Sequence, residues 1–236
     1  MKKEKELSVS ETTSIVVKEE VNMSEWGDVT IEQKDLVLPK ILVQQSMSEA
    51  VKQKKAEEGE LLNTLTDENL GTSIELLPFF KRESVVIEKY NGKKFAFDKI
   101  IPYDGKSRPF EEEINGVRYK NSHQYEIFAI TKDLGIPHIL SFKGTSNKIG
   151  RQLVTLMYVS NPAESLTPAG KWITYGSKQE VSKDGDQYFV SAFTVSKKST
   201  PEEVASCLKW IKVLKESSFE VSEEKVQEPT IQETRF

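Results

Sequence analysis

Gly105-Lys106-Ser107 and the turn Lys143-Gly144-Thr145-Ser146 are two places where this chain sets glycine, lysine and a hydroxyl side by side. A phosphate cradle needs that grouping: backbone amides exposed by glycine, a cation, and a hydroxyl for the phosphate or its metal. The first place fails as a nucleotide loop. A second glycine should stand five positions before Gly105, where the chain has Ile100, and Pro109 forbids an immediate helix. The second place has Gly144 and Gly150 but lacks the terminal Gly-Lys-Ser/Thr. It keeps a hydroxyl, Thr145 or Ser146, able to cap a helix. Lys143, Lys148 and Arg151 stand beside the free amides of that helix start, which suits the phosphate of a nucleic-acid backbone.

Other chemistry is sparse. His123 and His138 are the only histidines and Cys207 the only cysteine, so an internal disulfide and a multi-cysteine zinc site are ruled out, and no His/Cys cluster of metal-ligand spacing points to a zinc site. Cys207 reads as a small buried residue on a helix. Glu111-Glu112-Glu113 could lend carboxylates to a metal, as a nuclease would require, but reads as a solvated loop. No Gly-x-Ser-x-Gly elbow is present. The expectation is a non-enzymatic protein with no catalytic residue, no cofactor and no metal.

What remains is basic residues interleaved with aromatics on strand-like stretches: Phe79-Phe80-Lys81-Arg82, Tyr90 with Lys93-Lys94-Phe95, Arg118-Tyr119-Lys120, and Lys171-Trp172 with Tyr175. Exposed rings stack on bases while neighbouring cations follow phosphates, the combination used by single-strand binders. Bases are expected on some of Phe80, Tyr119, Trp172 and Tyr175. Phosphates are expected on some of Lys81, Arg82, Lys93, Lys94, Arg118, Lys143, Lys148 and Arg151. Neighbours on a strand point to opposite faces, so the opposing reading buries these rings and leaves the charges as ordinary surface.

The elements that must position them follow from periodicity and turns. Ser46 and Glu49 form a capping-box pattern ahead of a helix from Met47 to about Glu58, closed by Gly59. Thr72 to Tyr90 is strand-rich, with Pro78 marking a bulge or bend. Asn91-Gly92, Asn115-Gly116 and Asp184-Gly185 are hairpin turns. Strands are expected over 122–132, 139–142, 172–181 and 187–195. A helix from about Ser146 buries Ile149, Leu153, Leu156 and Met157. Ser199-Thr200-Pro201-Glu202-Glu203 starts a second helix that runs to about Lys215 and buries Val204, Leu208, Ile211 and Leu214. Hairpins with one inserted helix indicate a mainly β, α+β chain built on a small antiparallel barrel.

Charge divides the chain. The net charge is −4. Residues 1–35 carry five Lys against nine acids, and 217–236 carry Lys225 and Arg235 against five Glu, so the body between is mildly basic. Four regions are expected: a disordered arm over 1–35, an extended segment with a short helix over 36–71, a nucleic-acid-binding domain over 72–216, and a disordered acidic tail over 217–236. No apolar run is long enough for a membrane span, and the start lacks a secretory core. The expected setting is the cytoplasm.

The stretch LPKILVQQSMSEAVKQKKAEEGELLNTLTDENLGTSIELLPFF, followed by ILSFKGTSNKIGRQL and YFVSAFTVSKKSTPEEV, resembles a family of bacteriophage proteins regarded as single-stranded DNA-binding proteins. The pieces that carry the resemblance are Pro39 with Gln44 and Ser46, the Gly59–Gly71 turn, Pro78, and Phe142 with Thr145-Ser146. It covers about 36–215. It implies an oligonucleotide-binding (OB) barrel with appended elements, single-stranded DNA as partner, a role in phage replication or recombination, and the host cytoplasm. Relatives carry cysteine pairs in the middle loop; here 100–125 holds none. The ending Glu233-Thr-Arg-Phe236 is similar to the aromatic-ended acidic tips with which single-strand binders recruit replication or recombination proteins, making Phe236 a partner-binding candidate. Self-association through 36–70 would add cooperativity. The rival reading is a virion or assembly protein that docks through its arms.

Overall fold

A computed structural model describes residues 37–132, 135–159 and 169–216, all within one compact unit spanning Gln33–Phe236. The expected arm over 1–35, the tail over 217–236 and Phe236 itself lie outside the described residues.

The fold is mainly β with few helices, and all its strand ladders are antiparallel. Its backbone is β4 (Ser73–Tyr90), an 18-residue strand whose two halves face different neighbours. The first half pairs with β9 (Lys171–Val181) through Ser73–Leu76. The second half pairs with β5 (Phe95–Pro102) through Ser84–Tyr90. Along its other edge β4 pairs with β7 (Val117–Ile130) from Leu77 to Lys89. β7 then divides its own free edge between β6 (Glu111–Ile114) and β8 (His138–Lys143). β10 (Gln187–Lys198) pairs with β9 and completes a seven-stranded sheet.

Turn chemistry explains the long hairpins. The β6–β7 turn places Asn115 and Gly116 at φ 53° and 76°, the left-handed pair of a tight hairpin turn. In the β4–β5 turn, the Asn91 side chain accepts the amides of Lys93 and Lys94. Pro78 sits where the β4–β7 register slips by one residue, as expected of a residue with no amide to donate.

A smaller sheet joins β1 (Ile41–Val43), β2 (Leu61–Asn63) and β3 (Asn69–Gly71). It meets the large sheet at the Lys40–Ile139 bridge. It also meets it at Gln45, whose side-chain amide accepts from Phe189 N–H and donates to Phe189 C=O on β10. Among the described residues, strand pairing does not close the sheet into a barrel; β1 and Gln45 occupy the gap between β8 and β10. The expected capping box does not form. α1 spans only Glu49–Lys52, and its N-cap is Ser48, whose hydroxyl turns back to the Gln45 carbonyl instead. Lys54 at φ 59° then breaks the helix, well short of Glu58.

Cross-strand partners share a face, so register sorts the core into two. The first face carries Leu76, Tyr125, Ile127, Leu140, Phe142, Ile173 and Tyr175, packed against Leu153 and Met157 of α2 (Asn147–Val159) and against Ile41 and Leu61. Ile149 and Leu156 pack beside them, half-buried. The second face carries Leu77, Phe128, Ile130, Ile139 and Trp172 beneath Cys207 and Leu214 of α3 (Pro201–Glu216). Val204 and Ile211 join them. Leu208, expected inside, is 55% exposed; Cys207 occupies the inward position one residue earlier, so the buried stripe of α3 is rotated from the expected one.

Candidate nucleic-acid interface

α3 covers one end of the second face. Beyond it the same face continues along β4, β7 and β8 as a series of cross-strand rows. Arg82, Glu126 and Ser141 form one row; Ser84, Gln124 and Lys143 the next. Glu126 is buried and paired with Arg82 at 2.7 Å, and Gln124 donates to it at 3.1 Å. The Arg82 guanidinium also lies 5.6 Å from the Phe128 ring, which packs on Phe80 at 5.5 Å. This middle stretch is a closed polar floor. Its charges are neutralised in place, as burial requires.

The far end of the face is open. There β5 and β6 flank β4 and β7 and form a projecting arm. Tyr90 packs on Phe95 at 5.4 Å, and the Arg118 guanidinium lies 5.3 Å from the Tyr90 ring and 5.5 Å from Phe95. Lys120 lies 5.2 Å from the Phe110 ring. Phe97 and Phe110 are 52% and 60% exposed. Register puts Phe97 beside Glu88, and Lys120 between Glu88 and Glu111. Solvent-facing aromatic rings with cations on the same face are what stacking on an unpaired base requires.

The cations are partly answered. Arg118 pairs with Glu111 at 2.9 Å. Lys120 and Lys143 converge on the single carboxylate of Glu88, at 3.6 and 3.5 Å. Two ammonium groups on one carboxylate leave net positive charge at the point where the arm meets the end of β8.

The chain leaves β8 at Lys143 through a 3-10 turn, Gly144–Ser146, into α2. Ser146 secures the turn: its hydroxyl accepts the Lys143 amide at 2.9 Å and donates to the Lys143 carbonyl at 2.8 Å. Thr145, Asn147, Lys148, Arg151, Gln152 and Thr155 then line an open recess of about 620 Å³.

The residues singled out from the sequence therefore separate. Phe80, Arg82, Arg118 and Lys143 share the second face. Lys148 and Arg151 line the recess, and Lys93 and Lys94 sit exposed at the arm's β4–β5 turn. Lys81 and Tyr119 are turned away from that face, Lys81 toward Tyr158 of α2 at 6.0 Å. Trp172 and Tyr175 are corrected: at 1% and 2% exposed, neither presents a ring to a base. Trp172 lies under α3 and donates to Glu203 at 2.9 Å. Tyr175 lies in the first-face core, bonded to Ser191 at 2.9 Å. Burial pushes the Tyr175 hydroxyl up to about 12. Sequence reasoning did not select Tyr90, Phe95, Phe97, Phe110 and Lys120 as site residues. The Phe95/Phe97 alternation on a hairpin strand was the available signal; the Phe110–Lys120 contact had none.

Among the described residues, no cluster of three or more His, Cys, Asp or Glu side chains could hold a metal ion. No described helix is long and apolar enough to cross a membrane. A protein-family model described as Pam3 phage gp34-like protein matches residues 9–209. No curated protein and no solved structure matches.

Proposed function

The chain belongs to the Pam3 phage gp34-like protein family, and from that phage setting we propose that it binds single-stranded DNA without sequence preference and without chemistry. The observation that carries the reading is the arm: Phe97 and Phe110 exposed on the same face as Tyr90, Phe95, Arg118 and Lys120, with Lys143 beside them. Rings would stack on bases and the cations would follow the backbone.

Topology supports it. Taken in order, β4, β7, β8, α2, β9 and β10 give a long first strand paired with both the second and the fourth, and a helix between the third and fourth. With β5 and β6 set aside as an insertion, we read that order as an open variant of an OB fold, whose second- and third-strand face and first loop take oligonucleotides. Here the first loop is the β5–β6 arm, and the second and third strands carry the polar face. Gln45 and β1 stand where the barrel would close.

The test is retention of an oligothymidylate in the presence of excess duplex. Retention against duplex supports the reading. Equal competition by duplex contradicts it and leaves a general polyanion surface.

A further inference from the structure

The Lys143 ammonium ends the sheet face next to Lys120, and the chain then turns at Gly144 directly into the recess lined by Thr145, Lys148 and Arg151. We propose that this recess is a second phosphate-holding subsite, taking the DNA strand as it leaves the sheet face past Lys143 and turning it along the exposed side of α2. The inference rests on the single-strand-binding reading and extends it by giving the strand an exit route.

Three observations carry it. Lys148 and Arg151 stand three residues apart on one helix, so their side chains project from the same side, and both are exposed. Among the described residues, neither is in an ion pair, unlike Arg82, Arg118, Lys120 and Lys143 on the sheet. The nearby carboxylate of Glu180 feels Lys148, but it is held first by Lys178 at 2.5 Å. Finally, the recess is lined by the Thr145 hydroxyl and the Gln152 amide, which can donate to phosphate oxygens, and by Asn147 and Thr155, which donate to the His123 and Arg151 carbonyls, with no apolar side chain to seat a base. The arm is built to stack; the recess is built to hold charge.

The subsite predicts a dependence on strand length. An oligothymidylate of about 6 nucleotides fits on the arm alone, whereas one of about 20 exceeds the roughly 4–16 nucleotides of an OB fold and reaches the recess. Each single-strand phosphate contact contributes about 0.7 to the slope of log affinity against log salt. For the full chain, Lys148→Ala/Arg151→Ala should therefore lower the slope for the long oligonucleotide by about 1.4 and leave the short one unchanged. Both positions are exposed, so the double variant should melt like the parent. An unchanged slope for the long oligonucleotide overturns the subsite while the single-strand reading stands. Equal losses for both lengths overturn it too, by showing that these cations act on the arm-bound strand. If the parent binds neither length, the underlying reading falls, and the subsite with it.

Discussion

The Trp172 indole donates to the Glu203 carboxylate at 2.9 Å, joining the start of β9 to the first turn of α3. Glu203 also accepts the Thr200 amide at 2.7 Å, and the Thr200 hydroxyl accepts the Glu203 amide in return, a capping box that starts the helix. The ammonium of Lys197 lies 5.3 Å from the same Trp172 ring. One side chain thus docks α3 and closes its end of the sheet face. Trp172→Phe should cost about 1.5–3 kcal/mol, the range for a hydrogen bond to a charged group. Chemical denaturation measures it; a variant as stable as the parent would show that α3 is held by apolar packing alone.

Glu203 also sets an acid limit. Burial by itself would raise its carboxyl, but the Trp172 and Thr200 donors outweigh burial and hold it below the ordinary value of 4.5. A carboxyl lowered on folding stabilises fully above its unfolded value, and that contribution is lost as pH falls through the folded value. Glu203→Gln should therefore narrow the drop in Tm between neutral pH and about pH 3. An unchanged drop would assign the acid sensitivity to other carboxylates.

Cys207 is fully buried between α3 and the sheet. Burial, reinforced by the Glu203 charge, pushes its thiol up to about 12. A thiol that stays protonated and covered is a poor nucleophile. In the native protein it should resist a thiol-reactive dye near neutral pH and label promptly in denaturant. Fast native labelling would mean that α3 lifts from the sheet.

The sequence showed the hairpins and the ends of α3 because those features are local. Asn91-Gly92, Asn115-Gly116 and Asp184-Gly185 each carry their turn in two residues, and Pro78 carries its bulge in one. The faces of the strands were not legible in the same way. Trp172 follows a lysine and Tyr175 a threonine in the sequence, yet α3 covers one and α2 with β1 covers the other, through contacts far apart along the chain. The arm cluster was half visible. Tyr90, Phe95 and Arg118 stood out as basic–aromatic runs, but only register joins them, and Phe110 reaches Lys120 across the β6–β7 hairpin.

Gly59 tests how the small sheet is held. It has φ 84°, and a Cβ there would stand 2.5 Å from two atoms of the Phe189 ring on β10. Gly185 has a similar φ of 91° but open space around it. Gly59→Ala should destabilise by about 2–4 kcal/mol, combining left-handed strain with a clash, and Gly185→Ala by only about 1. Equal losses in denaturation would mean that Phe189 swings aside without cost.

The central claim is that the arm binds single-stranded DNA, and titration of the full chain with labelled oligothymidylate at two salt concentrations tests it most directly. The account predicts binding at low salt that weakens steeply as salt rises. It further predicts that Phe97→Ala/Phe110→Ala loses about 1–3 kcal/mol per stacked base while melting like the parent. No binding at low salt, or a double variant that binds as tightly as the parent, would contradict it.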